Sequence, residues 1–188
     1  MDCTECERLK EEIMPYIESH LKPSRLEHTL NVAELARKMA AKQGVDVNKA
    51  EIAALLHDMA KYEDRPGVNM NIAHGKIGAE MARDIFGIED EDILNAIAYH
   101  TTGRAGMSDL EKIIFLADAI EPRRDYPSVD EIRRTAEEDI DKACIMTLDR
   151  TIAYVNKRGA ELHPDSINAK KYLEDHLNGT ERTCRTDC

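Results

Sequence analysis

Residues 52–60 read IAALLHDMA, an apolar run that contains an adjacent imidazole and carboxylate. A helix that is apolar nearly all round belongs in the centre of a protein rather than at its surface. Burying a carboxylate beside an imidazole costs several kcal/mol unless both groups are paired or bound to a cation. His57 and Asp58 therefore predict a buried polar site, and a divalent metal would stabilise it directly.

The composition favours an all-α fold. Aromatic residues make up only 4% of the 188 residues and Trp is absent, so Leu, Ile, Ala and Met must fill the core. These residues favour helices, and strand-like runs of Val, Thr and Tyr are missing. The length suits one domain. We expect a single helical bundle at 23–177, an N-terminal helix at 1–22 packed on it, and a disordered tail at 178–188.

The net charge and the hydropathy of the sequence argue against two classes of binding partner, nucleic acids and membranes. The net charge is −11, so a basic surface for nucleic acid is not expected. No segment has the length of an apolar membrane span, and the charged start MDCTECERLKEE does not resemble a signal peptide. We expect a cytoplasmic protein with reduced thiols and no membrane partner. A homodimer is left open.

Local signals predict where several helices begin and end. Ser followed three residues later by Glu forms a capping box, and the pattern occurs at 24–27, 108–111 and 128–131. Asp46 is expected to cap a helix that runs from Asn48 to Met59 and carries the imidazole and carboxylate described above.

Other imidazoles and a second carboxylate occur in comparable places. Asp118 lies in the apolar run IIFLADAIE, and His28 lies one turn into the second helix. Three helices with ligand-type residues suggest one shared site. His74 and His100 could hold a second metal with Asp58 as a bridge, or could bind a substrate phosphate. The alternatives are an ordinary favourable contact of His with a helix end, and an Asp paired with Arg.

The cysteines suggest a further site. Cys3 and Cys6 form a CxxC near one end of the chain, and Cys184 and Cys188 lie near the other. Four thiolates could hold zinc if the two ends met, although terminal segments are usually frayed. Cys144 lies inside a helical pattern and is expected to be a small buried hydrophobic residue.

Several segments together resemble the HD-domain phosphohydrolases. They are RLEHTLNV at 25–32, HDMAK at 57–61, AHGKIGAE at 73–80, AYHTTGR at 98–104, FLADAIEPRR at 115–124 and LHPDS at 162–166. The pattern is most similar to the YqeK family, bacterial hydrolases that split diadenosine tetraphosphate symmetrically into two ADP. The similarity spans 9–173. The terminal cysteines are not part of it.

The resemblance implies roles for individual residues. Iron would be bound by His28, His57, Asp58 and Asp118, although the same ligand types accept manganese or zinc. His74 and His100 would hold a second iron or contact phosphate. The substrate phosphates would be surrounded by Arg25, Lys61, Thr101 and Arg104. The nucleoside would be contacted by the loop of His163, Pro164, Asp165 and Ser166.

Glu121, Arg123 and Arg124 end the last of the ligand-bearing helices. Glu121 could orient one of the two arginines through an ion pair beside the metal. An ordinary surface ion pair worth little energy is the equal alternative.

Two other functions are kept as alternatives to symmetrical tetraphosphate hydrolysis. The first is another HD phosphohydrolase that acts on nucleotides or cyclic dinucleotides. The second is a non-catalytic signalling module with the same fold, which would be expected to lose ligand residues.

Overall fold

Every regular element in residues 1–184 is an α-helix, which confirms the all-α prediction. The structure, a computed structural model, describes these residues, with side chains for all of them except Cys3 and residues 178–184. The helices are α1 (Cys3–His20), α2 (Pro23–Gln43), α3 (Val47–Leu56), α4 (Met70–Phe86), α5 (Glu91–Tyr99), α6 (Asp109–Ile120), α7 (Val129–Glu138), α8 (Ile140–Lys157) and α9 (Pro164–Cys184).

Two helices form the centre of the bundle. α3 packs against α1, α2 and α5, and α6 packs against α2, α5 and α8. Both have apolar residues nearly all round, as the sequence predicts. Their largest fully buried side chains are Ile52, Leu56, Leu110, Ile113, Ile114 and Leu116. The polar residues on these two helices therefore lie in the interior, where they need partners.

One of the three predicted capping boxes forms. Ser108 accepts from the backbone of Glu111, whose side chain accepts from the Ser108 backbone N–H at 3.2 Å. The prediction at Ser24 is wrong, because Pro23 is the first residue of α2 and the N-cap is Lys22, two residues before Ser24. The prediction at Ser128 is also wrong. Its backbone is left-handed, with φ 77°, and its side chain makes no capping hydrogen bond.

Helix α3 ends earlier than the sequence predicts. The expected end is Met59, whereas the structure ends the helix at Leu56 and continues in tight turns. The His57 Nδ1 atom donates to the carbonyl oxygen of Ala54 at 2.6 Å. The next helical turn would use this carbonyl, so the imidazole replaces a backbone donor at the helix end. His57 and Asp58 consequently lie in a turn.

The first and last helices pack against different helices of the bundle. α1 packs on α3 through the buried Leu9, Ile13 and Ile17. α9 packs on α8 and its backbone stays helical to Cys184, beyond Asn178, where the sequence predicts a disordered tail. The division into 1–22, 23–177 and 178–188 stays a prediction. Across the described part of the chain, no helix is both long and apolar enough to cross a membrane.

Two cysteine side chains belong to the core. Cys144 is fully buried, as predicted, and burial raises the pKa of its thiol. Cys6 is also fully buried, on α1. Cys188 and the side chains of Cys3 and Cys184 lie outside the described residues, so the predicted zinc site at the two ends stays a prediction.

Candidate metal centre

Six predicted ligand residues converge at one place, and together they are named the His/Asp cluster. They are His28, His57, Asp58, His74, His100 and Asp118. Five of them are buried, and the Asp118 side chain is 23% exposed. They come from α2, the turn after α3, α4, the end of α5, and α6. The sequence placed these residues on separate helices, and the fold brings them together.

Asp58 lies at the centre of the cluster and faces two ways. Its Oδ2 atom is 3.3 Å from His57 Nε2 and 3.9 Å from His28 Nε2. Its Oδ1 atom is 3.1 Å from His74 Nε2 and 3.7 Å from His100 Nε2. The carboxylate therefore separates two ligand groups, and each of its oxygens faces one pair of imidazoles.

Asp118 completes the first of these groups. Its Oδ1 atom is 2.9 Å from His28 Nε2 and 3.9 Å from His57 Nε2. Oxygen and nitrogen atoms from four side chains thus surround one space: those of His28, His57, Asp58 and Asp118. The second group contains Asp58, His74 and His100 only.

The far side of each imidazole is fixed by an oxygen acceptor. The Nδ1 atoms of His57, His74 and His100 contact the carbonyl oxygens of residues 54, 70 and 97 at 2.6, 2.8 and 2.8 Å. His28 Nδ1 contacts Glu121 Oε1 at 3.0 Å. A carbonyl oxygen can only accept, so the three Nδ1 atoms that face one carry protons. In the neutral imidazoles the Nε2 lone pairs then point into the cluster.

A cation fits this arrangement of lone pairs. Within the described residues, His28 Nε2 and His57 Nε2 are buried and make no hydrogen bond of acceptable geometry, although carboxylate oxygens lie 2.9 and 3.3 Å away. His74 Nε2 and His100 Nε2 are 3.0 Å apart, a close approach for two atoms that both carry lone pairs. A buried polar atom without a partner is costly. Imidazole and carboxylate ligands suit divalent Fe, Mn, Zn or Co. The cluster is therefore consistent with a divalent metal.

The charges of the cluster suit metal binding. Burial opposes ionisation of Asp58, but the imidazoles of His57, His100 and His74 together hold the pKa of this carboxyl well below its usual value. Burial and the nearby His100 and Lys61 lower the pKa of His74. The carboxylate is therefore ionised, and the imidazole is favoured in the neutral form that binds metals.

Three cationic side chains contact the carboxylates at the rim of the cluster. Arg25 Nη1 donates to Asp58 Oδ2 at 2.8 Å, and Lys61 Nζ lies 3.7 Å from Asp58 Oδ1. Arg124 Nη2 donates to Asp118 Oδ1 at 2.6 Å. Although burial opposes it, contacts with His28 and Arg124 hold the pKa of Asp118 below its usual value. The family resemblance implies that Arg25 and Lys61 contact phosphate, and both side chains lie at the rim of the His/Asp cluster.

The loop after α5 lies beside the same rim. Thr101 Oγ1 is 3.2 Å from His100 Nε2. Arg104, however, places two of its nitrogens on the buried carboxylate of Glu111, at 2.7 and 2.6 Å. The family resemblance implies that Arg104 contacts a phosphate, whereas the sequence pattern predicts only a capping box for Glu111. Arg104 and Glu111 are seven residues apart in the chain, and no local sequence signal marks this ion pair.

The side chains of Arg123 and Arg124, the predicted partners of Glu121, pair mainly with other residues. Glu121 Oε1 contacts His28, and Oε2 accepts from the backbone N–H of Arg123 at 2.7 Å. The Arg123 side chain pairs with Glu27 instead. Arg124 is 4.0 Å from Glu121 but donates to Asp118. Glu121 therefore orients a predicted metal ligand directly, rather than through an arginine.

A cavity of about 500 Å³ has Ala73, the chain neighbour of His74, and Ala98, two residues before His100, in its wall. It is lined by the predicted nucleoside loop, with His163 and Pro164, and by Asn69, Lys76 and Thr102. Within that loop, Asp165 Oδ2 lies 3.5 Å from Lys76 Nζ, and Ser166 is buried. The sequence analysis predicts no role for Lys76, although this residue lies two positions after His74 in the motif AHGKIGAE.

The comparisons with known proteins agree with this geometry. Residues 25–123 match the model of the HD domain family. A symmetrical bis(5'-nucleosyl)-tetraphosphatase of Halalkalibacterium halodurans is 40% identical over 80% of this chain and 89% of that protein. The protein of the same name from Bacillus subtilis is 37% identical over 87% of this chain and 97% of that protein.

A solved structure is similar as well. It is a predicted HD superfamily hydrolase involved in NAD metabolism from Clostridium acetobutylicum, with a TM-score of 0.83 and 40% identity. The match covers 88% of this chain and 97% of that one.

Proposed function

Because the chain belongs to the HD domain family, we propose that it is a metal-dependent hydrolase that splits diadenosine tetraphosphate symmetrically into two ADP. The observation that carries the proposal is the convergence of four anchored imidazoles on Asp58 and Asp118. Relatives that are 34–40% identical over most of the chain carry the name of this activity. A non-catalytic module is disfavoured, since all six ligand-type residues are in place.

The proposed reaction consumes one water molecule. The water oxygen forms a bond to one of the two central phosphorus atoms. The bond from that phosphorus to the central bridging oxygen breaks, and this oxygen leaves with its electron pair on the second ADP. The two protons of the water pass to phosphate oxygens or to solvent. The protein has to neutralise phosphate charge and hold the attacked phosphorus in line.

His28, His57, Asp58 and Asp118 would hold one divalent cation, and Asp58 would bridge to a second one held with His74 and His100. If only one metal binds, His74 and His100 would contact phosphate. A bound divalent metal supplies positive charge for phosphate oxygens and lowers the pKa of water towards neutrality. We favour iron, as the family resemblance implies, and the ligands would also accept manganese or zinc.

The cationic rim would bind the phosphates. Arg25 and Lys61 already reach Asp58, so their charged ends would lie next to a phosphate at the cluster. Thr101 would contribute its hydroxyl. Arg104 would contribute less than Arg25, because two of its nitrogens are occupied by Glu111.

The cavity of about 500 Å³ would hold one nucleoside, with His163 and Pro164 in its wall. Ligand pockets of small molecules commonly have volumes of about 300–1,000 Å³. Asp165 and Ser166 would shape this wall rather than face the base, because Asp165 pairs with Lys76 and Ser166 is buried. We further propose a cytoplasmic protein that does not bind nucleic acid, and that is a monomer or homodimer.

Product analysis tests the activity. The purified, metal-loaded protein is incubated with diadenosine tetraphosphate, and the nucleotides are separated by ion-exchange chromatography. We expect two ADP from each substrate molecule, with one ¹⁸O atom incorporated when the reaction runs in labelled water. His57→Ala and Asp58→Ala should abolish turnover and lower the metal content. ATP plus AMP as products would contradict the symmetrical reaction, and turnover of nucleotides or cyclic dinucleotides alone would favour the alternative.

A further inference from the structure

A second, smaller cavity opens on the His/Asp cluster from the side of α8. Its volume is about 150 Å³, and it is named the α8 cavity. It is lined by His100 and Asp118 of the cluster, by Arg124 and Tyr126 from the segment after α6, and by Arg150 and Thr151 of α8. None of the motifs that carry the family resemblance includes Tyr126, Arg150 or Thr151. The family resemblance therefore assigns no role to these three residues at the cluster.

Arg150 is held in place by an aromatic ring. Its guanidinium carbon lies 3.6 Å from the centre of the Tyr126 ring. The Tyr126 hydroxyl in turn donates to the carbonyl oxygen of Ala119 on α6, at 2.9 Å. Stacking of this kind orients an arginine without using its hydrogen-bond donors. The donors of Arg150 are therefore free to bind a ligand in the cavity.

The charge of Arg150 is not balanced by a carboxylate. Within the described residues, no Asp or Glu oxygen comes within 4.0 Å of its guanidinium nitrogens. By contrast, Arg25, Arg104 and Arg124 each pair with a carboxylate at 2.6–2.8 Å. Asp118 is the only acidic residue in the cavity wall, and it is already paired with Arg124. The α8 cavity therefore favours an anion.

The size of the cavity limits what the anion can be. A water molecule occupies about 30 Å³ in the liquid, so 150 Å³ corresponds to roughly five waters. That space admits one or two phosphoryl groups but not a nucleoside. The hydroxyl of Thr151 donates to its own helix, at 2.9 Å from the Thr147 carbonyl oxygen, which leaves the Arg150 fork as the main donor.

We propose that the α8 cavity is a phosphate subsite in which Arg150 binds a phosphoryl group of the polyphosphate chain, next to the phosphate held at the His/Asp cluster. The proposal rests on the proposed function and adds a residue to it. A planar guanidinium can bind two oxygens of one phosphate. A substrate with four phosphates needs cationic contacts beyond the metal, and Arg150 supplies one from α8.

The test compares Arg150 of α8 with Arg158, the residue that follows the last residue of α8. Arg150→Gln removes the proposed contact. Arg158→Gln is the matched control, because Arg158 also stacks on a tyrosine, at 5.0 Å from the Tyr154 ring, but is exposed and outside the cavity. Metal content and melting temperature are measured first for both variants. The affinities for ADP and for inorganic pyrophosphate are then measured by calorimetry with metal-loaded protein, and kcat/KM is measured for diadenosine tetraphosphate.

We expect Arg150→Gln to weaken ADP and pyrophosphate binding by about 10-fold and to lower kcat/KM by about 10- to 100-fold, the loss for one charge-assisted contact. Arg158→Gln should stay within twofold of the wild type. Wild-type values for Arg150→Gln in both assays would overturn the proposal.

Should Arg150→Gln fail to fold, Arg150→Lys carries the test, since it keeps the charge but not the fork. Pyrophosphate binding weakened by threefold or more would support the subsite, and unchanged binding would overturn it. A wild type that does not split the tetraphosphate would sink the proposed function alone, because pyrophosphate binding tests the α8 cavity separately.

Discussion

Gly75 is the point at which α4 comes closest to the end of α5. A Cβ atom at this position would lie 2.6 Å from the carbonyl oxygen of Ala98 and 3.0 Å from that of Ile97. The Ile97 carbonyl is also the acceptor that anchors His100 Nδ1, at 2.8 Å. His74 precedes Gly75 in the chain. Gly75→Ala should therefore push apart the two helices that hold His74 and His100 together.

The size of the effect follows from the contact distances. A carbon atom normally approaches a carbonyl oxygen to about 3.3 Å, so α4 must move by roughly 0.7 Å. Overpacking of this kind costs about 1–3 kcal/mol, and here the clashing atoms are backbone atoms that cannot rotate away. For a chain of this length each kcal/mol shifts the melting temperature by about 2–4 °C, so we expect it to fall by about 2–12 °C. A displacement approaching 1 Å near a reacting group can lower the rate about 100-fold.

Gly78, one turn later on the same helix, provides the control. A Cβ atom there would meet only side-chain carbons of Ile97 and Met59 at 3.5 Å and of Ala60 at 3.8 Å. These are ordinary contacts, and alanine is favoured over glycine in a helix by about 0.5–1 kcal/mol. Gly78→Ala should therefore keep full activity and unfold at the wild-type temperature or up to about 3 °C higher.

Thermal unfolding and kcat/KM for diadenosine tetraphosphate are measured for both variants at equal metal content. The same change from glycine to alanine should lower the melting temperature and kcat/KM at position 75 but neither of them at position 78. This expectation would be refuted if Gly75→Ala kept the wild-type melting temperature and activity, or if Gly78→Ala lost both to the same extent.

Three further predictions concern side chains outside the two ligand groups. Glu121→Gln should weaken metal binding by about 10- to 100-fold in a chelator competition, because Glu121 anchors His28; an unchanged affinity would contradict this. Arg133→Ala should lower the free energy of unfolding in urea by about 2 kcal/mol, since the guanidinium donates to three carbonyl oxygens, one at the end of α6 and two in the segment after it. A change below about 0.5 kcal/mol, on the order of a surface substitution, would count against it. Although burial opposes it, Lys49 and helix N–H groups lower the pKa of Asp90, so Asp90→Asn should cost about 0.5 kcal/mol at pH 7. That difference should vanish as the pH falls through the lowered pKa, below about 3.9, and a difference that persists there would refute the assignment.

The residues of the site could be predicted from the sequence because burial and polarity conflict there. Asp58 and Asp118 stand out in runs that are otherwise apolar; in the structure Asp58 is buried, and Asp118, whose side chain is 23% exposed, contacts His28. The all-α fold could be predicted for a similar reason, since the core-forming residues favour helices. Both predictions depend on which residues are neighbours in the chain, and a single sequence shows this directly.

Contacts that depend on how loops and helices pack could not be predicted in the same way. Arg104 lies in a glycine-containing loop after His100, and nothing near it in the sequence shows that Glu111 takes two of its nitrogens. Arg150 lies at an unremarkable helical position, and only the packing of α8 on α6 brings it to the cluster. The early end of α3 is a third case, because it depends on a side chain that bonds to its own helix.

That early end explains how two neighbouring residues can serve one site. In a continuing helix, His57 and Asp58 would point about 100° apart. Because α3 ends at Leu56, both residues lie in a turn, and Asp58 can place one oxygen toward His57 and the other toward His74. The backbone carbonyls fix three imidazoles with their Nε2 atoms facing Asp58. If cations bind in both ligand groups, as proposed above, the shared carboxylate of Asp58 should make binding in one group depend on binding in the other.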